Sequence, residues 1–156
     1  MRVLTNPRNQ LRLFSLVLIL LVAGWVVAAE KNPQFVQVTI RSILAENKSD
    51  EYDPKLKGME QQLKPLKYRS YRLLKAEDQT VPSQGSRSFE IPGGRSLTVA
   101  PQDFQNNRIA LKVRLTERDK PVIDTTVAIP NKGNFILGGP PHEGGVLVLS
   151  ISATAQ

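Results

Sequence analysis

The sequence predicts an α+β fold: a strand, a helix and a strand, then a mainly antiparallel β-sandwich or partly open barrel, all behind an N-terminal hydrophobic export helix. Three observations predict it. Phe35–Ala45 alternates apolar and polar side chains. Asp53-Pro54 opens a stretch with apolar residues at helical spacing. From Gln79 onward, short β-prone segments alternate with turn residues.

The export helix comes first in the chain. Leu13 to Ala29, LFSLVLILLVAGWVVAA, carries no charge, and Arg2, Arg8 and Arg12 precede it. A basic segment, an apolar run and then small residues is the layout of a secretory signal. Val27 and Ala29 place small side chains where a signal peptidase reads them, which puts cleavage before Glu30. A second reading stays open beside this one. The run exceeds the ~7–15 residues of a usual signal core, and Trp25 stands where an interfacial anchor belongs. An uncleaved helix would reach about 25 Å, a little under the ~30 Å hydrocarbon core, so membrane contact through residues 13–29 is the expectation if the segment is retained. Both readings place residues 30–156 outside the cytoplasmic membrane, in the periplasm or anchored facing it. The organisation is thus a signal peptide or anchor over 1–29 and one β-rich domain over 30–156, long enough for a single core.

Composition narrows the chemistry. The chain carries +7, but three of its 21 basic residues precede the export run, leaving 18 against 14 acids, or +4. That surplus is ordinary for a soluble surface and does not call for nucleic acid. The chain has no cysteine, which excludes disulfides, thiolate nucleophiles and cysteine-ligated metals. A lone histidine, His142, rules out a His-rich metal site. Asp50, Glu51 and Asp53 lack the glycine and terminal glutamate of a calcium loop and read as a solvated turn. No cofactor and no metal are expected.

In the first strand, Val36, Val38, Ile40 and Leu44 share one face. Asn47 to Asp53 is a polar turn; Asn47-Lys48-Ser49 in it matches a glycosylation sequon by composition alone. Asp53 is the expected N-cap, with Pro54 in the first turn and Leu56, Met59 and Leu63 as the buried stripe up to Pro65. Tyr68 to Lys75 reads as a strand returning beside the first. Phe89 and Ile91 lead through Pro92-Gly93-Gly94 to Leu97 and Val99, a hairpin. Ile109, Leu111, Val113 and Leu115 make the clearest strand, and Pro121–Pro130 the next, with Ile123, Val127 and Ile129 inward. Phe135–Leu137 is a short strand. Val146–Ala153, apolar on both faces at its start, belongs in the middle of a sheet.

Two sets of residues are candidates for function. Lys55, Lys57, Lys64, Lys67, Arg69, Arg72 and Lys75 form the most one-sided charge run in the domain, with Glu60 the only acid between Lys55 and Lys75. Such a run is either a solvated face or a contact for anionic lipid, polymer or an acidic partner. Gly138, Gly139, His142, Glu143, Gly144 and Gly145 form a loop whose glycines admit close backbone approach and whose His-Glu pair can move protons. Pro140 and Pro141 remove amide donors from it, so a rigid connection competes with a ligand loop. No G-x-S-x-G, H-E-x-x-H or S-x-x-K motif occurs. Tyr68 and Tyr71 read as packing over the helix rather than as a base-stacking platform.

Asp53-Pro54-Lys55-Leu56, Tyr68 with Tyr71, Pro92-Gly93-Gly94-Arg95 and Leu137-Gly138-Gly139-Pro140 before Gly144-Gly145-Val146-Leu147 give the chain its one broad likeness. In this order they resemble a group of small exported bacterial proteins of unknown function, a likeness that implies export and no activity. TTVAIPNKGNFILGG followed by VLVLSISA is similar to a late strand–turn–strand of secretins, over about 30 residues that reflect generic turn chemistry. The length of a pore domain and the proline-containing secretin ending are both missing.

The functional expectation is an exported cell-envelope protein with a non-catalytic binding or assembly role toward an envelope partner, with exposed edge strands as the natural docking sites for a partner strand. Two alternatives accompany it: a basic-surface binder of anionic lipid or envelope polymer, and a small periplasmic hydrolase using His142 and Glu143 or dispersed carboxylates.

Overall fold

The structure, a computed structural model, describes residues 31–156, so the export run, the alternatives for residues 13–29 and the cleavage position before Glu30 lie outside the described residues. The described chain forms two four-stranded sheets. β1 (Phe35–Glu46), β2 (Ser70–Pro82), β7 (Gly133–His142) and β8 (Gly145–Ala155) form one antiparallel sheet in the order β2-β1-β8-β7. β3 (Arg87–Ile91), β4 (Arg95–Gln105), β5 (Arg108–Glu117) and β6 (Lys120–Pro130) form the other, in sequence order. No strand joins the two sheets by backbone pairing, so the architecture is the sandwich of the two expected forms, not the barrel.

Alternation explains the core. Val36, Val38 and Ile40 of β1 and Leu147, Leu149 and Ile151 of β8 face Phe89, Leu97, Leu111, Val113, Leu115 and Ile129 of the second sheet, all of them buried. Each such side chain contributes roughly 1.5–3 kcal/mol by leaving water. β8 lies between β1 and β7, as its two-sided apolar pattern predicts, with Val148 buried on the opposite face. Three tight turns are two-residue connections with positive φ at both positions: Asn106-Asn107, Arg118-Asp119 and Glu143-Gly144. That backbone matches the twist of paired strands.

Three expectations are corrected. The single helix expected from Asp53 to Pro65 is instead a 3-10 turn (Pro54–Leu56), a four-residue helix α1 (Glu60–Leu63) and a second 3-10 turn (Lys64–Leu66). Gly58, at φ +91°, turns the chain between the first two pieces, and Pro65, inside the third, has no amide with which to extend α1. The buried stripe survives this fragmentation. Leu56, Met59 and Leu63 are buried against Ile43, Ala45, Tyr71 and Val148, forming a cap on the outer face of the first sheet. The fold is therefore mostly antiparallel β with a small helical cap, and the α+β expectation overstated the helical part.

The return strand is longer than Tyr68–Lys75: β2 begins at Ser70 and runs to Pro82. Lys75, Glu77 and Gln79 hid this by occupying positions opposite Ser42, Ile40 and Val38, on the core-facing side. An extra residue, Leu74, bulges out of β2 where Ser42 and Ile43 pair with Lys75 and Leu73. The third correction concerns Gly138–His142, expected as loop. These residues belong to β7, whose register shifts between Gly138 and Pro141 to absorb them, and only Glu143-Gly144 turns.

Candidate interaction surface

Lys55, Lys57, Lys64 and Lys67 of the basic run lie on the cap segment, whereas Arg72, between the cap-facing Tyr71 and Leu73, and Lys75 project from the opposite face of β2. Lys55, Lys57, Lys64, Lys67, Arg69 and Arg72 are exposed and Lys75 is half-buried. Two of these seven are neutralised. Arg69 forms a forked pair with Asp50 at 2.8 and 2.6 Å, which holds the Asp50 carboxyl below its ordinary range. Lys75 reaches Glu90 at 3.1 Å and Glu77 at 3.3 Å, and its pKa is raised chiefly by the Glu90 contact. Burial pushes Glu77 up, but hydrogen bonds from Gln79 and Lys75 outweigh it and hold the group low.

Two further local acids serve the backbone, while Glu51 is exposed beside them. Asp53 accepts from the amides of Lys55 at 2.9 Å and Leu73 at 3.0 Å, which lowers its pKa. Glu60 accepts from the Gly58 amide at 2.8 Å. Lys55, Lys57, Lys64, Lys67 and Arg72 consequently have no ion-pair partner among the described residues. Tyrosines hold the cap from beneath. Tyr52 donates to the Leu56 carbonyl at 2.8 Å and Tyr71 to the Leu63 carbonyl at 2.9 Å. Tyr52 and Tyr68 meet the Tyr71 ring edge-on, and burial raises the Tyr52 pKa. Tyr71 is thus packing, not a platform for bases.

The second candidate set has a structural explanation that sequence could not supply. Arg95, at the start of β4, is 7% exposed. It reaches across the sandwich to His142 Nδ1 at 3.2 Å and the Pro141 carbonyl at 3.1 Å, and within its own sheet to the Pro92 carbonyl at 3.0 Å and Glu117 at 3.2 Å. A guanidinium only donates, so Nδ1 must offer its lone pair. His142 therefore acts here as an acceptor that ties the end of β7 to the start of β4, with Glu143 3.7 Å from its other nitrogen. A Cβ at Gly145 would stand 2.5 Å from the Ala45 carbonyl oxygen, so this glycine serves strand packing. Gly138 and Gly139 lie within β7, and Gly144 completes the tight turn.

Every sheet edge carries an obstacle to strand addition. Along β2, Tyr71 donates to the Glu51 carbonyl at 3.1 Å and Leu73 to the Asp53 carboxylate. The β3 edge is covered by side chains of β2: Gln79 donates to the Ser88 carbonyl at 2.8 Å, and the Glu90 amide donates to Glu77 at 3.2 Å. β6 carries Pro121, Pro130 and a register shift near Val122, while β7 carries Pro140, Pro141 and its own shift. Prolines, bulges and inward charges are the usual means of blunting edges.

The domain has two distinguishable ends. Residues 31–34 approach beside the C-terminus, where the Gln34 amide donates to the Gln156 carbonyl at 3.1 Å. The cap packs on Ile43 and Ala45 toward the far end of β1 and reaches back to Asn134, which donates to Gln62 of α1 at the level of Ser152 and Thr39. The Arg95–His142 tie stands at that same far end of the strands. Among known proteins, no family model, no curated protein and no solved structure matches the chain.

Proposed function

We propose that this chain is an exported cell-envelope protein with a non-catalytic binding role, and that it engages its partner through the cap rather than by adding a strand. One observation carries the reading. Asp50, Asp53 and Glu60 are used internally, while Lys55, Lys57, Lys64 and Lys67 on the cap remain exposed without an ion-pair partner among the described residues. Unneutralised cations on one surface raise the local potential and favour an anionic partner. The apolar run of residues 13–29 supports export, and the blunted edges favour a side-chain surface over backbone pairing.

Photo-crosslinking in living cells tests this. A crosslinking residue placed at Lys57, on the cap, is expected to capture a discrete envelope component. The same residue at Lys112, exposed on the outer face of the second sheet, is expected to capture none. Equal capture from both positions, or none from Lys57, overturns the assignment of the cap.

A further inference from the structure

We infer that the partner of the cap is a flexible polyanion, an envelope polymer bearing repeated phosphate or carboxylate groups. This rests on the reading of the cap as the binding face and names what occupies it.

Two features of the surface select a polymer. First, it lacks an apolar anchor. The exposed large hydrophobic residues among those described are Phe35 and Val122, and neither is on the cap. The cap's own Leu56, Met59, Leu63 and Tyr71 are turned inward. A folded protein partner needs a desolvated apolar or aromatic centre to bind tightly. Second, the four unpaired cations of the cap are all lysines. Lysine is a hydrated point charge on a flexible stem and is depleted at protein interfaces. It suits a ligand that presents many equivalent charges in no fixed geometry, where counterion release drives binding.

Titrating the full-length protein with long-chain inorganic polyphosphate and with poly-glutamate tests the inference and separates the two anionic chemistries. Four contacts to a flexible polyanion imply an affinity that falls about 50-fold when salt rises from about 50 to about 200 mM. Changing Lys55, Lys57, Lys64 and Lys67 to Gln together should remove most of the binding and flatten its salt dependence. Lys112→Gln should leave both unchanged. Equal binding by the quadruple variant and the parent overturns the inference. So does failure of both polymers to bind while vesicles containing anionic phospholipid retain the chain through these lysines. If the polymers fail but Lys57 still crosslinks an acidic protein, the polymer is excluded and the binding face stands. If neither occurs, both fall.

Discussion

The carboxylate of Asp53 accepts the Leu73 amide at 3.0 Å while its other oxygen caps the turn at Lys55. One side chain thereby starts the cap and closes the edge of β2. Both amides hold the carboxyl below its ordinary value of 3.8. A depressed folded-state pKa contributes stability that is complete above the unfolded pKa and is lost as pH falls through the folded one. Melting curves of the wild type and Asp53→Ala should therefore differ most above the ordinary carboxyl value of 3.8 and converge as pH falls through the depressed folded-state value, the variant melting lower throughout the upper range. Asp50 and Glu77 titrate in the same window, and the difference between the two proteins isolates Asp53. A gap that stays constant with pH would contradict the account.

Gly93 and Gly94 separate backbone conformation from side-chain collision. Both have positive φ, at +89° and +69°. A Cβ on Gly94 meets nothing within 4 Å, whereas one on Gly93 stands 2.4 Å from Arg95 Nη1. Alanine at either position should cost about 1–2 kcal/mol for the left-handed backbone. Gly93→Ala should cost more, because it displaces the guanidinium that binds His142 and Glu117. Urea unfolding of the two variants measures the difference.

At the β7–β8 turn a substitution should stabilise. Glu143 adopts φ +46°, a conformation that costs a non-glycine residue energy and that Asn tolerates best, and Gly144 already stands beside it. Glu143→Asn creates the preferred dipeptide for this turn and should raise stability by about 1 kcal/mol. A decrease would mean that the contact of Glu143 with His142 matters more than the backbone.

The cap depends on its short apolar stripe. Leu63 is fully buried between α1 and the outer face of the first sheet. Leu63→Ala should cost about 2–5 kcal/mol. Hydrogen exchange should quicken first in residues 53–67, while amides of β5, on the far sheet, keep their protection until global unfolding.

The legible part of this fold is the part whose signal is local. β1 and β5 were readable because strict alternation at Val36–Ile40 and Ile109–Leu115 records burial on one face. Local charge was readable as well, since Lys55 to Lys67 are close in sequence and stay together on the cap. The far half of β2 was not, because Lys75, Glu77 and Gln79 occupy core-facing positions to cover β3. Gly138–Pro141 resembled a loop because a bulge and an edge position tolerate residues that a central strand rejects. The Arg95–His142 contact joins residues 47 apart in sequence and lies in no motif, so only the fold brings it out.

The central claim is that an exported domain presents its cap outside the cytoplasmic membrane. Because the chain has no cysteine, Lys57→Cys supplies a single thiol for labelling with a membrane-impermeant maleimide. The account predicts labelling in spheroplasts with the inner membrane intact; labelling only after lysis would contradict it.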